Sequence, residues 1–140
     1  MHATVRSVIE TAPAEDVCIL DTEASPEHLS RGTARYADGL LAVVEPYFKS
    51  LETGRRMAAL ANDLGIERVA LVANKIRDER DLAAVEEFAA QHELPIAGVI
   101  PFDEQLSGAE RAGLAPLDFD PDSPSVAAIG KLARDFVGER

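Results

Sequence analysis

The sequence predicts an α/β fold in which a parallel sheet is flanked by helices. Short apolar runs of strand length alternate with longer amphipathic segments, which is typical of βαβ units. The apolar runs are nearly continuous rather than alternating, as expected for strands that helices cover on both faces. The chain has 140 residues, of which 46% are hydrophobic, so we expect a single α/β domain over residues 1–140.

Four strands are predicted, each from a run rich in aliphatic residues and bounded by polar residues, glycine or proline. They comprise residues 16–21, 39–45, 68–73 and 95–100. Cys18 is the single cysteine of the chain and lies inside the first run. We therefore expect a buried thiol with no disulfide partner.

Helices are predicted where apolar residues recur at helical spacing. Gly65 follows one such stripe at the position of a C-terminal cap glycine, and Ser123 with Pro124 provides cap and first-turn chemistry before another. The stripes lie within residues 4–11, 57–64, 82–89 and 126–136, and residues 116–124 are predicted to be a loop.

The first predicted strand begins only at Asp16, after a predicted helix with no strand before it. A doubly wound sheet usually opens with a strand whose following turn holds a phosphate group. We therefore expect the N-terminal phosphate-binding unit to be missing. Unpaired strand edges and an exposed apolar helix face would follow, so the isolated chain should be marginally stable or associated.

Charge and hydropathy exclude several functions. The 25 acidic residues against 14 basic ones give a formal net charge of −11, which a phosphate backbone would repel, so no nucleic-acid partner is expected. No apolar run approaches the roughly 20 residues that cross a bilayer, and no signal-peptide pattern opens the chain. We expect a cytoplasmic protein with no membrane span.

Ligands of open parallel sheets bind beyond the carboxyl ends of the strands. Asp21 ends the first predicted strand, where a carboxylate can hold a magnesium shell or cap the next turn. Glu45 ends the second, where it is either solvated or packed against its neighbours, and Ser50 is expected to cap the following helix.

The third and fourth strands end in residues with base-binding chemistry. Asn74 and Lys75 offer an amide for a base edge and an aliphatic stem to pack on a ring, although such a pair is common by chance. Pro101 and Phe102 form a rigid turn that can present backbone groups to a ligand. Asp103 is expected to cap the helix that follows.

Other catalytic or metal chemistry is weakly supported. The sequence contains no GxSxG motif, so a serine hydrolase is not indicated. His28 and His92 lack a second ligand at metal-site spacing, and no metal ligands are assigned.

The segments DTEASPEHLSRGTARYADGLLAVVEP, SLETGRR, VALVANK and GVIPFDE together resemble the MinD/ParA-like P-loop ATPases. Within that superfamily they resemble the CooC-type accessory proteins that mature carbon monoxide dehydrogenase. The resemblance runs over essentially the whole chain, is most specific in residues 21–32, and implies a C-terminal portion of such a protein. It also implies an ATP-dependent dimer that assists nickel insertion into carbon monoxide dehydrogenase, with ATP or ADP and Mg²⁺ as cofactors.

The same resemblance implies roles for individual residues. Asp21 corresponds to the Walker-B-type aspartate, and the segment after it to the switch that senses the γ-phosphate. Asn74, with Lys75 beside it, matches the adenine-reading asparagine. Pro101 and Phe102, followed by Asp103, match the backbone segment that lines the base. The switch residues are Glu23, Glu27, His28 and Arg31.

The sequence departs from this family in three ways. The glycine-rich Walker A loop with its two lysines is absent from the 140 residues, and so is the Cys-x-Cys metal motif, so no nickel ligands are assigned. Ser25 stands where the family usually has glycine, and Pro26 removes an N–H group. A weaker γ-phosphate sensor is expected.

Three hypotheses stay open at this stage. The chain could be a truncated or split nickel-insertion ATPase, acting as a homodimer or with a P-loop-bearing partner and not catalytically competent alone. It could be a non-catalytic interaction or dimerisation module that retains the fold. It could also be a fragment of a partition or septum-positioning ATPase, although Glu27, His28, Arg31 and Gly32 favour the nickel branch.

Overall fold

The computed structural model describes residues 11, 13, 16–22 and 37–138. Within these residues three strands form one sheet in the order β1–β2–β3, and both pairs of neighbours are parallel, which confirms the predicted fold class. The elements are β1 (Gly39–Val44), α1 (Phe48–Asp63), β2 (Arg68–Ile76), α2 (Glu79–Gln91), β3 (Ile96–Pro101), α3 (Glu104–Ala112), α4 (Pro116–Phe119) and α5 (Pro124–Gly138).

The main core lies between the sheet and the two crossover helices α1 and α2. Alternate residues of a strand point to the same face, so Val44 of β1 and Leu71 of β2 meet Val85 of α2 there, each at most 1% exposed. The core residues are Ala42, Val44, Leu51, Leu71, Ala73, Ile76, Val85 and Ala89.

Helix α5 packs against β3 and reaches the end of the sheet where the strands begin. The Leu132 side chain of α5 lies over Gly98 in β3. Near the end of α5, Arg68 donates to the Phe136 carbonyl oxygen at 2.5 Å, and its guanidinium lies 4.4 Å from the centre of the Phe136 ring. A Cβ at Gly39 would lie only 2.7 Å from Phe136 Cζ, so glycine permits this close approach.

The predicted cap glycine of α1 is confirmed. Gly65 has a φ of 84°, and its N–H donates to the Asn62 carbonyl oxygen at 2.9 Å. The next N–H, of Ile66, donates to the Ala61 carbonyl oxygen at 3.0 Å, which completes the two-bond motif that closes many helices. Ile66 is buried against Ala61 and Met57, so the cap also seals a second small cluster.

The other predicted helices are also confirmed where the structure describes them. Helix α2 begins at the N-cap Asp78, whose carboxylate accepts from the N–H groups of Arg80 and Asp81, both at 2.9 Å. At the start of α5 the Ser123 hydroxyl accepts from the Val126 N–H at 3.4 Å. Of the helix predicted over residues 4–11, Thr11 alone is described, and it is helical.

The strand predicted over residues 16–21 is wrong. These residues lie outside any strand, with Val17 51% and Ile19 87% exposed, and Cys18 is exposed rather than buried. An apolar run becomes a strand only where a neighbour completes its backbone hydrogen bonds. Within the described residues the sheet holds β1, β2 and β3 alone, and residues 16–21 pair with none of them, although the outer edge of β1 is open.

Several boundaries differ from the prediction: β1 ends one residue earlier, β3 lies one residue later, and β2 and the predicted loop differ further. Strand β2 runs to Ile76 rather than to Ala73, because the irregular residues in between still lie alongside β3. The predicted loop over residues 116–124 begins with α4, whose first residue, Pro116, suits the first turn of a helix since its missing N–H has no acceptor there. No helix in the described part of the chain is long and apolar enough to cross a membrane.

Candidate functional site

The carboxyl ends of the three strands bring several of the sequence-predicted residues to one edge of the sheet. Glu45 follows β1, Asn74 and Lys75 lie near the end of β2, and Phe102 follows β3. Parallel strands end at the same edge, which is where open α/β sheets bind ligands. A direct contact joins the first two strand ends, since Lys75 Nζ lies 2.7 Å from Glu45 Oε1.

Asn74 and Lys75 form a bulge inside β2 instead of following the strand. From Ala73 to Ile76, β2 spans one residue more than β3 does between the paired residues Val99 and Pro101. Lys75 takes up the extra length with a φ of 57°, a left-handed conformation that costs a residue with a side chain roughly 1–2 kcal/mol. Bulges redirect side chains and are frequent beside functional sites.

The bulge also orients the Asn74 amide. Its Oδ1 accepts from the Lys75 N–H at 3.0 Å, which identifies the oxygen and places the amide nitrogen on the other side. Within the described residues the Nδ2 group has no acceptor. The half-buried Asn74 therefore offers a ligand two N–H donors and the second lone pair of Oδ1.

Glu45 is held through both its side chain and its backbone. Its carboxylate pairs with Lys75, and its N–H donates to the Ser50 hydroxyl oxygen at 2.9 Å. Ser50 was predicted to cap α1, and that prediction is wrong: the N-cap is Tyr47, which makes no side-chain cap bond. The Glu45–Lys75 pair is partly exposed, so it contributes at most about 1 kcal/mol, but it holds the Lys75 side chain across the edge.

The end of β3 presents an aromatic ring. The Phe102 N–H donates to the Ile76 carbonyl oxygen at 2.8 Å, so this backbone stays beside β2 after the strand ends. The Phe102 ring is 45% exposed, and the Arg77 guanidinium lies 4.8 Å from its centre. Sequence reasoning missed Arg77. The sequence predicted β2 to end at Ala73, so it did not place Arg77 at the strand end beside Phe102.

Asp103 caps helix α3, as predicted, and also binds the start of α5. Its Oδ1 accepts from the Gln105 N–H at 2.9 Å, and its Oδ2 accepts from the Ser125 hydroxyl at 2.8 Å. These donors, first the Gln105 N–H and then the Ser125 hydroxyl, lower the pKa of Asp103. Ser125 and its neighbour Ser123 are buried. With both oxygens engaged, Asp103 holds the Pro101–Phe102 backbone in place.

The remaining predicted residues lie outside the strands or outside the residues that the structure describes. Asp21 is exposed and lies outside any strand. Within the described residues no group of three or more His, Cys, Asp or Glu side chains could hold a metal ion. His92, at the end of α2, packs its ring 4.5 Å from that of Phe88. The switch residues Glu23, Glu27, His28 and Arg31 lie outside the described residues.

Comparison of the sequence with known proteins gives clear relatives. It is 36% identical over 122 residues to the carbon monoxide dehydrogenase accessory protein CooC of Rhodospirillum rubrum, a match that covers 86% of this chain and 46% of the relative. It is 39% identical over 106 residues to an uncharacterised ATP-binding protein of Methanocaldococcus jannaschii, covering 76% of this chain and 41% of the relative. The chain thus spans less than half the length of these relatives. No family model matches.

Solved structures agree on the fold. The cell division protein MinD of Aquifex aeolicus superimposes with a TM-score of 0.65 at 25% identity, covering 77% of this chain and 47% of MinD. The cell division ATPase MinD of Pyrococcus furiosus superimposes with a TM-score of 0.71, covering 100% of this chain and 60% of MinD, and at 19% identity it is evidence for the fold alone.

Proposed function

We propose a nucleotide-binding role for this chain, which belongs to the MinD-like P-loop ATPases and matches the carboxyl-terminal part of a CooC-type member. The edge of the sheet at the carboxyl ends of its strands would supply the base-binding half of an adenine nucleotide site. The observation that carries the proposal is the oriented Asn74 amide at the bulge of β2, on the same edge as the exposed Phe102 ring. The ATP-binding relatives support the same ligand class.

The residues of this edge fit an adenine base. An adenine ring nitrogen can accept from Asn74 Nδ2, and its exocyclic amine can donate to the second lone pair of Asn74 Oδ1. The Lys75 ammonium is directed to Glu45, which leaves its aliphatic stem beside Asn74 to pack on a ring. The Phe102 ring adds a stacking surface, and Asp103 positions the Pro101–Phe102 backbone.

The phosphate end of the site requires further parts. A glycine-rich loop normally cradles the phosphates, and the 140 residues contain no such motif. We therefore propose that a P-loop from outside these residues completes the site, with the chain acting as a homodimer or in a complex with a P-loop-bearing partner. Mg²⁺ would neutralise charge on the phosphates. By the family resemblance alone, Asp21 would hold its shell, and Glu23, Glu27, His28 and Arg31 would belong to the switch.

The biological role proposed for the completed protein follows the CooC-type relative. It would couple nucleotide binding in the cytoplasm to nickel insertion into carbon monoxide dehydrogenase, with nickel as the cargo. No nickel-binding motif lies within the 140 residues, so this chain would contribute the base site and the sheet. Its contact with the client enzyme would be made through the assembled protein.

The proposal is tested by isothermal titration of ADP and ATP with Mg²⁺ into the 140-residue chain. Asn74→Ala should weaken ADP binding about five- to thirtyfold, as expected for losing one or two hydrogen bonds of about 1 kcal/mol each. The matched control is Asn62→Ala, because Asn62 is exposed near the end of α1 and far from the carboxyl edge in the fold. Absence of binding at millimolar ADP would reject a base site that works within these 140 residues. The chain would then act through its surfaces, as the non-catalytic interaction module, or only beside a P-loop-bearing partner.

A further inference from the structure

Arg77 contacts an aromatic ring at the carboxyl edge of the sheet rather than a carboxylate. The formal net charge is −11, yet within the described residues the Arg77 guanidinium is in no ion pair and lies 4.8 Å from the centre of the Phe102 ring. Both side chains are exposed, and the ring is 45% accessible. The contact therefore does not bury apolar surface in the core. The guanidinium and the ring both follow strand ends at the carboxyl edge of the sheet.

The backbones on both sides of this contact are held in place. The Phe102 N–H donates to the carbonyl oxygen of Ile76, the residue just before Arg77, at 2.8 Å. The Arg77 N–H donates to Asp81 Oδ2 at 3.0 Å, so a side chain in the first turn of α2 holds the Arg77 backbone. Asp103 then holds the residue after the ring through Gln105 and Ser125. The two side chains are thus kept as neighbours by their backbones.

We propose that Arg77 and Phe102 form a stacking pair that makes this site prefer purine over pyrimidine nucleotides. The inference rests on the proposed base site and adds a specificity-determining residue to it. A guanidinium is planar and weakly hydrated, so it stacks on aromatic rings and on nucleobases alike. A purine presents two fused rings to such a surface and a pyrimidine one, and stacking energy grows with the overlapping area.

The geometry separates this role from simple charge attraction. A cation near the phosphates would strengthen the binding of every nucleotide diphosphate equally, whatever the base. Stacking requires the flat guanidinium and the ring, so it should depend on the base and should be lost when lysine replaces arginine. The ratio of ADP affinity to CDP affinity therefore reports stacking, because the two ligands carry the same phosphates.

The experiment is titration of the 140-residue chain with ADP and with CDP. Arg77→Ala should weaken ADP binding about fivefold, the effect of one exposed cation–aromatic contact, and CDP binding at most about twofold. Arg77→Ala thus lowers the ratio of ADP affinity to CDP affinity, and Arg77→Lys should lower it as well. Phe102→Leu should also lower this ratio, and combining it with Arg77→Ala should lower the ratio no further. Arg80→Ala, which removes another exposed arginine three residues along, should leave both affinities unchanged.

The outcomes distinguish this inference from the proposed function. If wild type binds ADP and Arg77→Ala keeps the same ADP-to-CDP ratio, the stacking role is overturned while the base site stands. A ratio fully restored by Arg77→Lys also overturns it, since charge alone would then suffice. If wild type binds neither nucleotide, the base site itself is rejected and the inference falls with it. Urea midpoints of all variants, measured in parallel, show whether they are folded.

Discussion

Replacing Gly54 by alanine tests how closely α1 packs on the sheet. A Cβ at this position would overlap Val44 Cγ1 and lie 3.5 Å from Leu71 Cδ2, and both of these side chains are buried in the core. In a helix alanine is favoured over glycine by about 1 kcal/mol. Overpacking a core costs about 1–3 kcal/mol, and the β-branched Val44 has little rotamer freedom with which to move away. We therefore expect Gly54→Ala to lower the free energy of unfolding by a net amount of up to ~2 kcal/mol.

Gly130→Ala is the matched control for this change. Gly130 lies in α5, and a Cβ there would meet only Arg134 Nη1, at an ordinary 3.5 Å. Helix propensity alone should then act, and the variant should gain about 0.5–1 kcal/mol. Urea unfolding followed by far-ultraviolet circular dichroism compares the midpoints at equal slopes. If Gly54→Ala stabilised the protein as much as Gly130→Ala does, the close packing of α1 on Val44 would be refuted.

Three further predictions concern the fold. Hydrogen bonds from Arg55 lower the pKa of Glu52 from 4.5 to about 2, so its stabilising contribution is complete above pH 4.5 and is lost as the pH falls through 2. Glu52→Gln should remove that part of the acid sensitivity in urea titrations at several pH values. Asp103→Asn and Ser125→Ala should each lower the urea midpoint, and the double variant should show less than the sum because the two side chains share one hydrogen bond. Leu71→Ala, at a fully buried position, should cost about 2–5 kcal/mol in the same assay.

The sheet and its helices follow from patterns that are local in the sequence. Apolar runs of strand length and stripes at helical spacing correctly predicted β1, β2, β3 and the helices between them, and Gly65 correctly marked the end of α1. Residues 16–21 have the same composition as those strands and still lie outside the sheet. Pairing depends on a neighbouring strand, which composition does not encode.

The sequence predicted which residues lie at the edge of the sheet, but not how their side chains are arranged there. Residues that end parallel strands must share one edge, so Glu45, Asn74 and Phe102 were found from the sequence. The bulge with left-handed Lys75, which orients the Asn74 amide, has no sequence signal, because lysine rarely adopts a positive φ. The Arg77–Phe102 contact depends on the register between β2 and β3, which only the structure supplies.

The central claim, a base site at the carboxyl edge of the sheet, is tested most directly by mapping ADP onto the chain with nuclear magnetic resonance. Backbone and side-chain amide signals of the ¹⁵N-labelled protein are followed during titration. We predict the largest changes at Asn74, including its side-chain amide, and at Lys75 and Phe102, with little change at Gly65 beyond the opposite end of β2. Changes concentrated around Gly65, or no saturable change at any signal, would contradict the account.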